Sequence, residues 1–582
     1  MNKIIFFLLF MSTQLFGQKM DWTTPFEKDD NYSATYFEVI DFYKKLAAIH
    51  PWIQLKEVGR TDSGYPLHIV IASRSKQFDP VKLKEAGKRI LFINNAIHPG
   101  EPCGVDASMM LFRDLVKNKS MSQLLKETVV VAIPFYNISG GLNRGSFSRA
   151  NQDGPKEHGF RGNIQNLDLN RDFIKCDSKN ARTFNQVFTQ WQPDVFIDNH
   201  TSNGADYQYT LTMIATQKDK LNPVLSSYLQ KKMLPDLYRQ MKLGNWEMTP
   251  YVFVRNTPDE GIAGFLDLPR YSSGYAATHN CLSFTSETHM LKPFKDRVRS
   301  TYAFMKVMLT TMQRDAKMIG ALRQKAQNAD KIKTDFDLNW EVDMEQKDSL
   351  LFKGYEAKYK PSEISGIDRL YYDRNAPFEK YVPFLNTYKN TLTISKPITY
   401  IIPQAYDKIV ARLRWNGVKV QRLTKDLTTE MEVYYIRKYE DRAAYEGHYL
   451  HYNVEVETKN QTQDYRKGDY VVFTNQATNQ YILSVLEPQA PDSYFSWNFF
   501  DAILMQKEYF SSYVFEDLAL EILKENPEIK VALETRKKED EEFAKSARAQ
   551  LNFVYKRSAY YEKTHQLYPV GRLVKEVEIS VE

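Results

Sequence analysis

Arg89-Ile90-Leu91-Phe92-Ile93-Asn94-Asn95-Ala96-Ile97-His98-Pro99-Gly100-Glu101 is the stretch on which the fold reading turns. Ile90 to Ile93 form an unbroken apolar run of the kind found in strands buried on both faces. His98 and Glu101 follow in a turn just after the strand ends. In open α/β sheets, ligands bind in the crevice beyond the C-terminal ends of the strands. Zinc takes neutral imidazole and carboxylate ligands held in fixed geometry. On its own, a His-x-x-Glu reads equally well as a surface or capping feature.

A second strand ends in the same way. Asp194-Val195-Phe196-Ile197-Asp198-Asn199-His200 delivers another imidazole at a strand edge. His98, Glu101 and His200 together make an open His₂Glu set, which leaves a fourth position for water. His158, His279 and His289 read as surface groups or as groups standing behind the ligands.

Around these strands, helical and strand patterns alternate from about Tyr32 to Arg314. Helical spacing covers Tyr36 to His50, Gly104 to Val116, Asn180 to Trp191 and Leu221 to Met241. Strands are expected at His68–Ile71, Thr128–Pro134, Val195–Ile197 and Cys281–Thr285. A long helix from Lys295 to about Lys331 closes the region. This is the grammar of an α/β domain with a mostly parallel or mixed central sheet. Residues 332–365 are polar and weakly patterned, like a linker or the start of a new domain. Strands are then expected at Thr391–Ile402, Glu432–Tyr439, Tyr449–Glu457 and Tyr470–Thr474, with helices near Phe499–Lys524 and Ala532–Val554. The second half reads as a mixed α+β region.

A chain of 582 residues is too long for one ordinary core. Its net charge of +6 is weak for that length, and no arginine-rich stripe points to nucleic acid. The opening MNKIIFFLLFMSTQLFGQ has Lys3, an apolar run from Ile4 to Phe10, and Gly17 before a plausible cut. It reads as a secretory signal over residues 1–17, predicting a periplasmic or extracellular protein; the alternative is a buried N-terminal strand or helix. No later segment is apolar enough for a transmembrane helix. Cys103, Cys176 and Cys281 show neither a disulfide framework nor zinc-cluster spacing, and read as small buried residues.

The loop Arg161-Gly162-Asn163-Ile164-Gln165-Asn166-Leu167-Asp168-Leu169-Asn170-Arg171-Asp172-Phe173 crowds charged and amide side chains around single apolar ones. It is either a solvated loop with a salt bridge or a grip for a carboxylate, which a guanidinium binds with two parallel hydrogen bonds. A zinc site beside a carboxylate clamp suits cleavage at a free C-terminus.

These residues resemble the zinc metallocarboxypeptidases of the carboxypeptidase A type, as a secreted bacterial member. His98 and Glu101 match the family's His-x-x-Glu, and His200 its distal histidine. Asp168, Asn170 and Arg171 match its Asp-x-Asn-Arg element. Arg161 falls where many members place the arginine that polarises the scissile carbonyl. Glu287 matches the catalytic glutamate on a late strand. The resemblance implies a carboxypeptidase-like α/β domain over residues 30–315, with an accessory α+β region over 332–582. It implies one Zn²⁺ per chain on His98, Glu101 and His200, with Glu287 as general base and Arg161 stabilising the oxyanion. Asn170 and Arg171 would hold the terminal carboxylate of a peptide or protein substrate, and Asp168 would orient His98.

The chain departs from the pattern at Asp172, where many relatives carry Asn. The mobile tyrosine of the family is either Tyr271 or Tyr275. Glu287 has a plainer alternative, a strand-end salt bridge with Lys292 or Arg297. Three other readings of function stand beside the main one. They are a zinc amidase acting on cell-wall peptides or N-acyl amino acids, a peptide-binding protein on an inactive peptidase scaffold, and a carbohydrate- or surface-binding second half.

Overall fold

The computed structural model describes residues 22–582; the apolar opening read as a signal, residues 1–17, lies outside them. In chain order, the first strands are β1 (Ile53–Arg60), β2 (Pro66–Ala72), β3 (Arg89–Asn94), β4 (Thr128–Ile133), β5 (Val195–Ser202), β6 (Leu211–Ala215), β7 (Met248–Pro250), β8 (Ile262–Ala263) and β9 (Leu282–His289). All except β8 join one sheet in the order β1-β2-β4-β3-β5-β9-β6-β7. Strands β4, β3, β5 and β9 are parallel, while β2 and β6 run antiparallel on either side. The sheet is mixed and helices cover it: an α/β fold.

Successive side chains on a strand point to opposite faces, and this sorts the run on β3. Leu91 and Ile93 pack with Val130, Ile197 and the helices Tyr36–Ile49, Cys103–Lys117 and Phe294–Ile332. Ile90 and Phe92 pack on the other face with Val131, Phe196 and the helix Lys179–Trp191. Burial on both sides is why the sequence shows a continuous apolar run and no alternation. Helix Tyr36–Ile49 starts on a reciprocal cap, in which the Thr35 hydroxyl accepts from the Glu38 N–H and the Glu38 carboxylate accepts from the Thr35 N–H.

The second half joins this core. Tyr400, Ile409, Tyr481 and Trp497 belong to the same apolar cluster as Phe92 and Phe184. Its strands are β10 (Asp335–Val342), β11 (Asp348–Pro361), β12 (Asp368–Leu385), β13 (Tyr388–Ser395), β14 (Thr399–Ile402), β15 (Gln421–Arg422), β16 (Leu427–Asp441), β17 (His451–Tyr465), β18 (Tyr470–Phe473) and β19 (Gly571–Leu573). Six of them form a sheet ordered β15-β18-β14-β19-β16-β17. Residues 335–361, weakly patterned in sequence, carry β10 and β11. The end of β12 pairs in parallel with β8, with Phe384 opposite Ile262.

Three expected elements are split. The helix expected near Phe499–Lys524 is a short turn at Asp501–Leu504 followed, after an irregular stretch, by a helix from Ser512 to Glu525. The strand expected over 391–402 breaks around Pro397, which has no N–H to give a ladder. The helix expected over 532–554 restarts at Asp540 and Ser546, whose side chains accept from the Phe543 and Ala549 N–H groups and so cap new helices. The three cysteines are buried free thiols. No helix among the described residues is long and apolar enough to cross a membrane.

Candidate active site

Strand β3 ends at Asn94, and Ala96 adopts a left-handed conformation (φ 55°) that swings the chain into the His98–Glu101 turn. The turn closes with Glu101 N–H donating to the His98 carbonyl at 2.9 Å. The neighbouring parallel strand β5 carries His200. In the β5–β9 register His200 lies directly opposite Glu287. Sheet pairing therefore sets His200, the third member of the expected ligand set, beside Glu287, the expected base.

His98, Glu101, His200, Arg161, Asn170, Arg171 and Glu287 all line one cavity of about 550 Å³. Asp168 stands behind it. Donor atoms of His98, Glu101 and His200 lie within 4.8 Å of one another, and all three residues are buried. His98 Nδ1 faces Glu101 Oε1 at 3.3 Å and has no hydrogen-bond partner, while its Nε2 contacts Asp168 Oδ1 at 2.8 Å. His200 Nδ1 lies 3.1 Å from Glu101 Oε2, and its Nε2 lies 2.9 Å from Asp198 Oδ2. Each imidazole thus turns one nitrogen to Glu101 and anchors the other on a second carboxylate. That arrangement fixes tautomer and ring orientation in metal sites. An unpartnered buried nitrogen and a surplus of carboxylates fit a dication.

Burial opposes the charge on Glu101, but His98, Arg149 and His200 outweigh it and hold its pKa well below the usual range. It therefore stays ionised, as a ligand must. Glu287 is pushed the other way. Loss of solvent raises its pKa to about 7; His200 opposes this and Glu101 adds to it. Asp168 is held well below the usual range; burial works against it, and His98, Arg161 and Arg171 prevail.

Glu287 has no hydrogen-bonding partner for its carboxylate among the described residues. The salt bridge offered as its alternative does not form: Lys292 pairs with Asp206 at 3.1 Å, and Arg297 donates to the carbonyls of Lys292, Asp153 and Gly154. Arg161 is paired with Asp168 at 2.9 Å and with Glu101 at 3.4 Å. Asn170 Oδ1 accepts from the Ser272 N–H at 2.9 Å. The Arg171 guanidinium lies 4.5 Å over the Tyr271 ring. Asp172 is turned into the core, where it accepts from Lys175 Nζ at 2.9 Å and from the Asp177 and Ser178 N–H groups.

Of the two tyrosine candidates, Tyr271 lines the cavity. Tyr275 is fully buried, and its hydroxyl donates to Asn416 Oδ1 at 2.6 Å. The spare histidines are not surface groups: His158 and His289 are 5% and 0% exposed, and His279 stacks on Tyr481.

Sequence reading missed several contributors. Arg149 donates to Glu101 Oε1 at 2.9 Å and to the Thr201 carbonyl at 2.9 Å. Nothing in its serine- and glycine-containing loop marks it. Asp198 could have been found, because residues two apart on a strand share a face and it precedes His200 by that interval. Tyr251 and Phe265, which line the cavity, sit in stretches without clear periodicity.

Residues 39–227 match the family profile described as zinc carboxypeptidase. The chain is similar to carboxypeptidase 2 of Trichophyton rubrum, 22% identical over 482 residues, covering 78% of this chain and 82% of that protein. Carboxypeptidase 2 of Trichophyton equinum is also 22% identical, over 499 residues and the same shares. Among solved structures, a metallo-carboxypeptidase from Burkholderia cenocepacia is similar with a TM-score of 0.37 and 16% identity, covering 48% of this chain and 70% of that one. The family profile and the two Trichophyton relatives agree in kind: residues 39–227 match a zinc carboxypeptidase, and the chain as a whole is similar to carboxypeptidases.

Proposed function

We propose that this protein removes residues from the free C-terminus of peptides, with His98, Glu101 and His200 holding one zinc ion. The observation that carries the reading is the convergence of these three residues, Glu287, Arg161 and the Asn170–Arg171 pair on one cavity. A zinc ion held there supplies Lewis acidity and makes water nucleophilic at neutral pH. Glu287, free of other hydrogen bonds, takes the proton from that water and delivers it to the leaving amine. Arg161 faces the carbonyl oxygen as negative charge develops on it. The guanidinium of Arg171 and the amide of Asn170 hold the terminal carboxylate and so place the last peptide bond within reach. Asp168 keeps His98 oriented through Nε2.

Mass spectrometry of a peptide mixture incubated with the protein tests this reading. It should show ladders that shorten by single residues from the C-terminus. Internal cuts, or release of N-acyl groups alone, favour the amidase reading. The signal-like opening, residues 1–17, supports export, and N-terminal sequencing of protein recovered outside the cytoplasm checks it.

Metal analysis is expected to find one zinc per chain in the parent and none in His200→Ala. The fold of that variant should persist, because the β5–β9 pairing rests on backbone hydrogen bonds. Full occupancy in the variant removes His200 from the ligand set.

The pH dependence follows from Glu287. A base acts only when ionised, and this one is raised to about 7; a neighbouring dication lowers it. Activity (kcat/KM) therefore rises with pH along an acid limb centred at or below that value. A rate profile that stays flat through this range moves the proton transfer to another group.

A further inference from the structure

The carboxylate clamp is not completed by the first half of the chain. Strands β16 and β17 form a long hairpin, and its tip reaches back to the loop that carries Asp168, Asn170 and Arg171. At the tip, Tyr445 and His448 exchange backbone hydrogen bonds at 2.7 and 3.0 Å. Between them Glu446 and Gly447 have φ of 51° and 84°. Two consecutive left-handed residues make the tight turn whose twist suits a two-stranded ribbon, so the tip closes on itself between the two strands.

Three contacts tie this tip to the clamp loop and to Asp177 just after it. Arg171 Nε–H donates to the Tyr445 hydroxyl oxygen at 2.9 Å. The Asp168 N–H donates to Glu446 Oε2 at 2.7 Å. His448 Nε2 lies 2.8 Å from Asp177 Oδ2. Behind them, the Tyr445 ring stacks on Trp497, a fully buried side chain, at 6.2 Å and 21°.

The consequence for Arg171 can be counted atom by atom. Its Nε is committed to Tyr445, and Nη1 donates to the Asn170 carbonyl at 2.9 Å and lies 3.7 Å from Asp168 Oδ2. Tyr271 covers one face of the group. No described residue accepts from Nη2. Arg171 lines the cavity while Tyr445 does not, so the tyrosine holds the guanidinium from the side away from the substrate. A free arginine side chain samples many rotamers, and fixing it before a ligand arrives removes an ordering cost from binding.

We infer that Tyr445, carried by the hairpin of the second half, is a positioning residue that aims Arg171 at the substrate's terminal carboxylate. The inference rests on the clamp reading above. It gives the second half a role in the chemistry, because the site is aimed only when both halves are folded together.

The test uses the full chain with Tyr445→Phe, which keeps the ring and its stacking and removes only the acceptor oxygen. Matched peptides with free and amidated C-termini are assayed on the parent, on this variant and on Arg171→Ala, with zinc content and Tm as controls. For Tyr445→Phe, KM for the free-acid peptide is expected to rise about tenfold, the scale of one hydrogen bond to a charged group. Its kcat, the amidated peptide, the zinc content and Tm should stay near parental values. Tyr449→Phe, on the same hairpin but exposed, should change nothing. If Tyr445→Phe leaves the preference for the free acid intact while Arg171→Ala abolishes it, the positioning role is overturned and the clamp stands. If Arg171→Ala leaves it intact as well, the clamp reading itself falls. A parallel loss on both peptides with a lowered Tm marks general damage and also overturns the inference.

Discussion

Glu287→Gln is expected to keep its zinc and its affinity for substrate while kcat falls by roughly 10²–10⁴-fold, the usual worth of a positioned acid–base group. The substitution changes almost no volume, so cavity and overpacking effects are small. Nor does it strand a partner, because no described residue hydrogen-bonds the carboxylate. Burial already disfavours the charged form, and a neutral amide carries less of that desolvation cost. Stability should therefore hold or rise slightly. Zinc content, inhibition constants for a substrate-like ligand, and single-turnover rates separate these effects. A near-parental kcat would mean that the proton goes to another group, and the register that sets Glu287 opposite His200 would then have no catalytic meaning.

Arg171→Ala is the second large effect. A metal, a water and a base contain no information about chain ends; a group that recognises the free carboxylate must supply it. Truncating one side of a buried, hydrogen-bonded charge pair costs about 2–5 kcal/mol, or roughly 30- to 4,000-fold in kcat/KM. That loss should fall on free-acid peptides. Amidated peptides, poor substrates of the parent already, should lose much less. Equal loss on both, or equal cleavage of both by the parent, would move the zinc site to an amidase or an endopeptidase. Lys in place of Arg171 should rescue little, since an ammonium has neither the planar fork nor an equivalent of the Nε that Tyr445 accepts from.

The parts of the fold that were legible in sequence are those where burial is extreme. Ile90–Ile93 and Thr128–Ile133 are buried on both faces, so composition alone announces them. The grouping of His98, Glu101 and His200 was legible because each follows such a run at the C-terminal edge of the sheet. Strand β1 was missed, because its residues are mostly half-exposed and lack a clean alternation. The hairpin of β11 and β12 was missed for a related reason. Its outer parts are solvated on both faces, so Lys, Glu and Tyr alternate where a sheet would normally show an apolar side. Tyr445 and Glu446 were beyond reach. Their partners lie 274 and 278 positions away in sequence, and only the docking of the second half brings them together.

The pairing of His200 with Glu287 across β5 and β9 divides the molecule into a part that must not drift and a part free to diverge. Between the two strands the chain adds β6 to the far side of β9, with Thr212 opposite Glu287, and the segments outside that strand carry Tyr251, Phe265 and Tyr271 on the cavity wall. Exchanges of side chains confined to those wall segments leave the register that sets His200 beside Glu287 as it is. A different taste in side chains would need only a new wall, whereas a slip of one residue between the two strands would leave one group facing the cavity and turn the other to the opposite face of the sheet.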